Sequence, residues 1–152
     1  MLRLTRTDSD NPDFRTLVVL LDAHLAALDG DEHAFYAQLN VLHKANPAVV
    51  AYRHDEAVGC GAFREHGPGA VEIKRMFVQP PYRGQGIAQA VLGELERWAQ
   101  ELNYPACVLE TGQKQPEAIR LYERSGYVRI PNYGQYAGVA NNVCMRKEVG
   151  LN

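Results

Sequence analysis

Glu72-Ile-Lys-Arg-Met-Phe-Val-Gln-Pro-Pro-Tyr-Arg-Gly-Gln-Gly-Ile-Ala88 is the stretch on which the reading of this chain turns. Its first half alternates apolar and charged residues after a Gly67-Pro68-Gly69 turn, which predicts a strand. Pro80-Pro81 ends that strand, because proline has no N–H to give to a ladder. Arg83-Gly84-Gln85-Gly86 then leads through Ile87 and Ala88 into a long helix. The first N–H groups of a helix lack intrahelical acceptors, and the helix dipole adds about half a positive charge there. Two glycines let a phosphate come close to the backbone, and Arg83 supplies a cation. The sequence predicts a pyrophosphate cradle.

Two other phosphate loops do not fit. A Walker loop ends in Gly-Lys-Ser/Thr, whereas Gly86 is followed by Ile87 and Ala88. A dinucleotide fingerprint counted from Gly84 needs Gly or Ala at its sixth position and finds Gln89, although Glu110 lies at about the right distance for a ribose-binding acid.

Composition narrows the remainder. The 152 residues, 46% hydrophobic and 22% charged, suit a single domain over 1–152 with a full core. A net charge of -2 without any Lys/Arg run offers no field for nucleic acid. The longest apolar run, Leu17 to Leu21, is too short to cross a membrane, and no signal-peptide pattern opens the chain. Cys60, Cys107 and Cys144 are an odd set, far apart, and read as buried reduced thiols of a cytoplasmic protein. Five scattered histidines without a His-x-x-x-His pair predict no metal site.

In chain order, Leu2 to Thr7 alternates as a strand. Asn11 caps a helix with Pro12 at its first position, a stripe of Phe14, Leu17, Val18, Leu21 and Leu25, and Gly30 at its end. A second helix is expected from Asp31 to about Asn40. Ala48–Arg53 and Val58–Arg64 form a hairpin about Asp55-Glu56, and Val71–Val78 adds a third antiparallel strand. The helix from about Gly84 to Leu102 places Val91, Leu92, Leu95, Trp98 and Leu102 on one face. Ala106–Thr111 follows as a strand in a parallel crossover. Gln115–Arg124 is a short helix stopped by Gly126, and two strands, near Tyr127–Ile130 and Val143–Glu148, finish the chain. The fold class is α/β (α+β) with a mixed, mostly antiparallel sheet in the order β-α-α-β-β-β-α-β-α-β-β.

Arg83-Gly84-Gln85-Gly86-Ile87-Ala88 resembles the Arg-x-x-Gly-x-Gly/Ala signature of GNAT-type N-acetyltransferases. Ala118-Ile-Arg-Leu-Tyr122-Glu-Arg-Ser-Gly126-Tyr127 resembles a second segment common in that family, and the element order resembles its fold along the whole chain. The resemblance implies acetyl-CoA as the cofactor, held by Arg83 to Ala88 and by backbone groups of Met76 and Val78. Met76 N–H would face the acetyl carbonyl. Gln115 stands where the family often has an Asn against the pantetheine arm, with the same amide on a longer reach. Tyr122 falls where the family's tyrosine often lies near the thioester sulfur, and Glu72 resembles the catalytic glutamate of some members. Dimers are common for the fold.

The reaction so implied needs a neutral amine, a donor to the oxyanion and an acid for the thiolate. An alkyl amine of pKa near ~10 is only about one part in a thousand neutral at pH 7, so a base is required. Glu72 is the sequence candidate, acting through water, since regular alternation puts it on one face with Lys74, Met76 and Val78 but about 13 Å from Met76. The same alternation points Arg75 to the other face. Tyr122 is the candidate acid. The reading is an N-acetyltransferase acting on a small-molecule amine. Its alternatives are a non-catalytic acyl-CoA sensor and an enzyme with a longer acyl donor.

Overall fold

The computed structural model describes residues 1–29, 45–134, 137 and 141–150. Within them, strands β1 (Leu2–Asp8), β2 (Pro47–Arg53), β3 (Glu56–Glu65), β4 (Ala70–Val78), β5 (Ala106–Gly112), β6 (Val128–Ile130) and β7 (Asn142–Glu148) form one sheet in the order β1-β2-β3-β4-β5-β7-β6. All neighbours are antiparallel except β4 and β5. Helices α1 (Pro12–Asp29), α2 (Ile87–Glu101) and α3 (Pro116–Arg124) and a 3-10 turn at Pro80–Tyr82 complete the described elements. The helix expected from Asp31 to about Asn40 lies outside the described residues.

Asn11 caps α1 as its side chain predicts: Oδ1 accepts from the N–H groups of Asp13 at 2.9 Å and Phe14 at 3.1 Å. Phe14, Leu17 and Leu21 then pack on Ala48, Val50, Cys60, Ala62 and Phe77, one face of the sheet. The other face, with Val49, Phe63, Val71, Ile73 and Val78, packs on Ile87, Val91, Leu92 and Leu95 of α2 and on Ile119 and Tyr122 of α3. Each such fully buried aliphatic or aromatic side chain contributes about 1.5–3 kcal/mol. Leu102 departs from the expected stripe: it sits at the C-cap of α2 and is 49% exposed, one position beyond the last helical residue. Trp98 packs edge-on against Phe63 at 5.8 Å while Arg6 lies over its ring, so the core accounts for it. The three cysteines are free and buried, and burial pushes the Cys60 and Cys107 thiols up to about 12.

Two irregularities of β4 shape the molecule. The first is a bulge. Ala62 pairs with Lys74 but Cys60 pairs with Phe77, so Gly61 alone faces an extra residue on β4. Arg75 absorbs it with φ of 61°, a left-handed conformation costing about 1–2 kcal/mol outside glycine. Cys60 Sγ donates to the Arg75 carbonyl, and Arg75 Nη1 donates to Asp22 of α1 at 2.7 Å, which ties the bulge to the helix. The extra residue inverts the alternation. Val71, Ile73, Met76 and Val78 belong to the α2 face, whereas Phe77 packs on the α1 face with Cys60. The expected common face for Glu72, Lys74, Met76 and Val78 is therefore corrected, and Arg75 points toward α1 rather than away from Glu72's side.

The second irregularity is a split. The parallel register of β4 with β5 ends at Ile73 opposite Leu109. Beyond it, β4 stays with β3 to Val78 and β5 stays with β7 to Gly112. The two central strands thus part toward their C-terminal ends and leave a wedge in the sheet, where ligands of sheets with parallel strands commonly enter.

Gly61 makes room at the bulge, since a Cβ there would lie 2.5 Å from Met76 Sδ and 2.9 Å from Leu95 Cδ1. Gly61→Val is expected to destabilise the fold by about 1–3 kcal/mol through overpacking, read as a lowered urea midpoint at unchanged m.

Candidate active site

The wedge continues into a cleft of about 500 Å³ between β4, the 83–86 loop, α2 and α3. Its floor is Met76, Phe77 and Val78, and its far wall is Gln115, Ala118 and Tyr122. A smaller cavity of about 80 Å³ adjoins it on the α1 side, walled by the bulge residues Lys74 and Arg75 and by Glu110, Thr111 and Gly112 of β5. Leu21, Met76, Gln115 and Tyr122 line both spaces, so the two meet between the strand bulge and α3.

The loop at the cleft's mouth has the geometry that its glycines predict. Gly84 and Gly86 have φ of 80° and 79°, and a Cβ on either would meet nothing within 4 Å. The glycines are thus required by backbone conformation, and the space in front of them is open to a ligand. The expected helix start at Gly84 is corrected to Ile87, because these two left-handed residues lie ahead of the first helical turn. The first helical bond of α2 runs from Ala90 N–H to the Gly86 carbonyl, so the N–H groups of Ile87, Ala88 and Gln89 have no acceptor within the helix. Arg83, Lys114 and Arg124 bring cations to the same cleft, where Glu117 is the one carboxylate among the described residues. A pyrophosphate with an apolar tail fits this donor set: amides and cations at the mouth, Met76, Val78, Ala118 and Leu121 further in.

Arg83 also makes contacts within the protein. Its Nε–H donates to the Val78 carbonyl at 2.9 Å, and its guanidinium carbon lies 5.6 Å from the centre of the Phe77 ring. The side chain clamps the end of β4 to the loop. Arg83→Ala is expected to weaken acetyl-CoA binding by about 1.5–3 kcal/mol, with the enthalpy of binding measured by calorimetry reduced as well. Affinity equal to wild type would mean that neither clamp nor charge matters.

Gln115 precedes Pro116 as the cap of α3, and its side chain makes no capping bond, which leaves the amide directed by the cavities it lines. Tyr122 is 7% exposed at the junction of the two spaces. Burial first, and the negative charge of Glu110 second, push its phenol above the ordinary value, so the hydroxyl keeps its proton across physiological pH. Gln85 does not line the cleft, whereas its neighbours Gly84 and Gly86 do.

Glu72 lies elsewhere. It is 1% exposed, its Oε1 accepts from Arg64 Nε at 2.9 Å, and its Oε2 accepts from the Tyr133 hydroxyl at 2.7 Å. Neither cavity is lined by it. Tyr133 in turn packs at a tilt against His66, ring centres 4.5 Å apart, and covers Ala70, Ala106 and Val108. The place on the site wall expected for Glu72 is taken by Lys74 and by Glu110, whose carboxylate accepts from Asn142 Nδ2. Glu110 carries a signal in the sequence, as the acid that closes the next strand, but its spacing there points to a ribose rather than to this cavity.

A split sheet with a glycine-rich amide cradle and a buried tyrosine across from it defines an acyl-CoA-dependent transferase. Residues 10–127 match the Acetyltransferase (GNAT) family. The chain is 35% identical over 133 residues to the IAA acetyltransferase of Azospirillum brasilense, covering 86% of this chain and 87% of that protein. Among solved structures, a Klebsiella pneumoniae protein assigned as an acyl-CoA N-acyltransferase superposes with a TM-score of 0.83 at 30% identity, covering 98% of both chains. A GNAT family acetyltransferase from Elizabethkingia anophelis with acetyl-CoA bound shares the fold at a TM-score of 0.69 and 17% identity, covering 97% of both chains. The chain belongs to the GNAT acetyltransferase family, and acetyl-CoA is its co-substrate. No helix among the described residues is long and apolar enough to cross a membrane.

Proposed function

We propose that this chain transfers the acetyl group of acetyl-CoA to the primary amine of a small-molecule acceptor, by direct attack of the amine on the thioester. The observation that carries the reading is the meeting of two spaces at Met76, Gln115 and Tyr122. The larger suits the long cofactor, entering past Arg83 and Gly86. The smaller, on the opposite side of the junction, is where an acceptor would present its nitrogen.

In this reading Ile87, Ala88 and their neighbours bind the pyrophosphate through backbone amides, Gln115 orients the arm, and the Met76 N–H faces the acetyl oxygen. Tyr122 donates to the departing sulfur. The acceptor end is narrow, about 80 Å³, which suits a slim amine better than a folded protein surface. The charge balance, 16 basic against 18 acidic residues, does not attract a strongly cationic acceptor.

The test is a panel of amines, amino acids, polyamines and peptides incubated with acetyl-CoA while free thiol is followed. Thiol release with one chemical class of acceptor, and its acetylated mass, supports the reading. Binding of acetyl-CoA without thiol release from any acceptor would favour a sensor, and preferential release from a longer acyl-CoA would change the donor.

A further inference from the structure

We propose that Lys74 is the base of this reaction, its Nζ taking the proton that the acceptor's ammonium must lose before attack. The inference rests on the reading that a primary amine attacks the thioester, and it deepens that reading by naming the group that makes the amine nucleophilic.

Position comes first. Lys74, the last residue of β4 before the bulge, lines the smaller cavity together with Met76, Glu110 and Tyr122. An amine that reaches the junction at Met76 and Tyr122 from this side passes the Lys74 side chain. Lys74 is itself buried, at 5% exposure. Arg75, a second cation in the cavity's described lining, is bound to Asp22. Glu72 is held by Arg64 and Tyr133 and lines neither cavity.

Proton affinity comes second. A carboxylate of ordinary pKa, about 4.3, is mismatched to an alkyl ammonium near 10 by about six powers of ten. An amine is matched far better if its own pKa is brought down toward the working pH. Lys74 is surrounded by Glu72 and Arg75 on its own strand, Arg64 on β3 and Glu110 on β5, with the Tyr122 phenol across the cavity. Burial is the largest influence and lowers its pKa, Arg64 and Arg75 act in the same direction, and Glu72 and Glu110 oppose them without reversing the sign. Lys74 therefore holds the neutral form at a lower pH than a free alkyl amine does.

The protons balance as follows. Neutral Lys74 accepts one proton from the acceptor ammonium. The acceptor nitrogen forms its bond to the acetyl carbon, and the carbon–sulfur bond breaks. The second proton of that nitrogen ends on sulfur through Tyr122, and Lys74 passes its proton to water. Nothing is oxidised or reduced, and one proton is released per acetyl group transferred.

Lys74→Arg keeps the charge and most of the length but cannot give up its proton. With an acceptor identified by thiol release, Lys74→Arg and Lys74→Met are both expected to lose about 10²-fold in kcat/KM at pH 7, with calorimetric affinity for acetyl-CoA unchanged. The deficit shrinks as pH rises and the acceptor loses its own proton. Wild-type activity in Lys74→Arg, or a pH–rate profile of the same shape as wild type, would overturn the proposal. A second measurement needs no acceptor and no variant turnover: the side-chain carbon resonance of Lys74 in wild-type protein, assigned from its absence in Lys74→Arg, is followed against pH. A midpoint below the ordinary lysine value is expected, and one at or above it removes Lys74 from the role. Failure of wild type to release thiol with any acceptor would instead strike at the transferase reading, leaving the resonance titration to judge Lys74 by itself.

Discussion

A folded Gly86→Glu protein is expected to lose acetyl-CoA binding by about three powers of ten or more. Gly86 has φ of 79°, so any side chain there carries left-handed strain of about 1–2 kcal/mol. The open space in front of it means that steric overlap with the protein adds nothing to that cost. The remainder is electrostatic. A carboxylate about 4 Å from a pyrophosphate charge is repelled by about 4 kcal/mol at an effective dielectric of 20. Gly86→Ala separates the two effects, since it carries the strain without the charge and should weaken binding by no more than about thirtyfold. Calorimetry on both variants, with circular dichroism to verify folding, makes the comparison. Unchanged affinity in Gly86→Glu would remove the loop from cofactor binding.

Tyr122→Phe should lower turnover by about 10²-fold while leaving acetyl-CoA affinity nearly as it was. The ring packs edge-on to Tyr127 at 5.9 Å and forms part of the core on the α2 face, contacts that phenylalanine retains. What is lost is the hydroxyl, whose proton burial and Glu110 hold firmly. A thiolate of ordinary pKa near 8.5 leaves moderately well unaided, which caps the expected loss. The measurement is single-turnover acetylation of an identified acceptor. A Phe variant that turns over like wild type would make Tyr122 a packing residue alone.

The parts of this molecule that announce themselves in sequence are those with strong local causes. Gly84 and Gly86 are legible because only glycine is at ease at φ near 80°, and Asn11-Pro12 because a cap and a proline are compatible with few other arrangements. The hairpin about Asp55-Glu56 and the β4–α2–β5 crossover follow in the same way. The bulge is the opposite case. Arg75 takes a left-handed conformation with no glycine to mark it, held by Asp22 from a helix more than fifty positions earlier and by the carbonyl contact with Cys60. Counting by twos along β4 therefore carries the correct face as far as Lys74 and the wrong one from Met76 onward. That single miscount placed Glu72 and Lys74 on one face with Met76 and Val78, beside the thioester. Leu102 shows a smaller version of the same failure, a helical stripe extended one residue past the point where the backbone stops being helical.

The bulge also divides the strand's constraints. Upstream of Arg75, Lys74 borders the cavity assigned to the acceptor; downstream, Val78 borders the cleft assigned to the cofactor, with Met76 shared at the junction. A strand of unbroken period would present both sets on one face, where every change made for one ligand would be felt by the other. With the extra residue, the two halves can drift separately under mutation. Acceptor preference in a lineage built on this strand is then free to wander through Lys74 and its neighbours, while the grip on a shared acetyl donor is inherited intact.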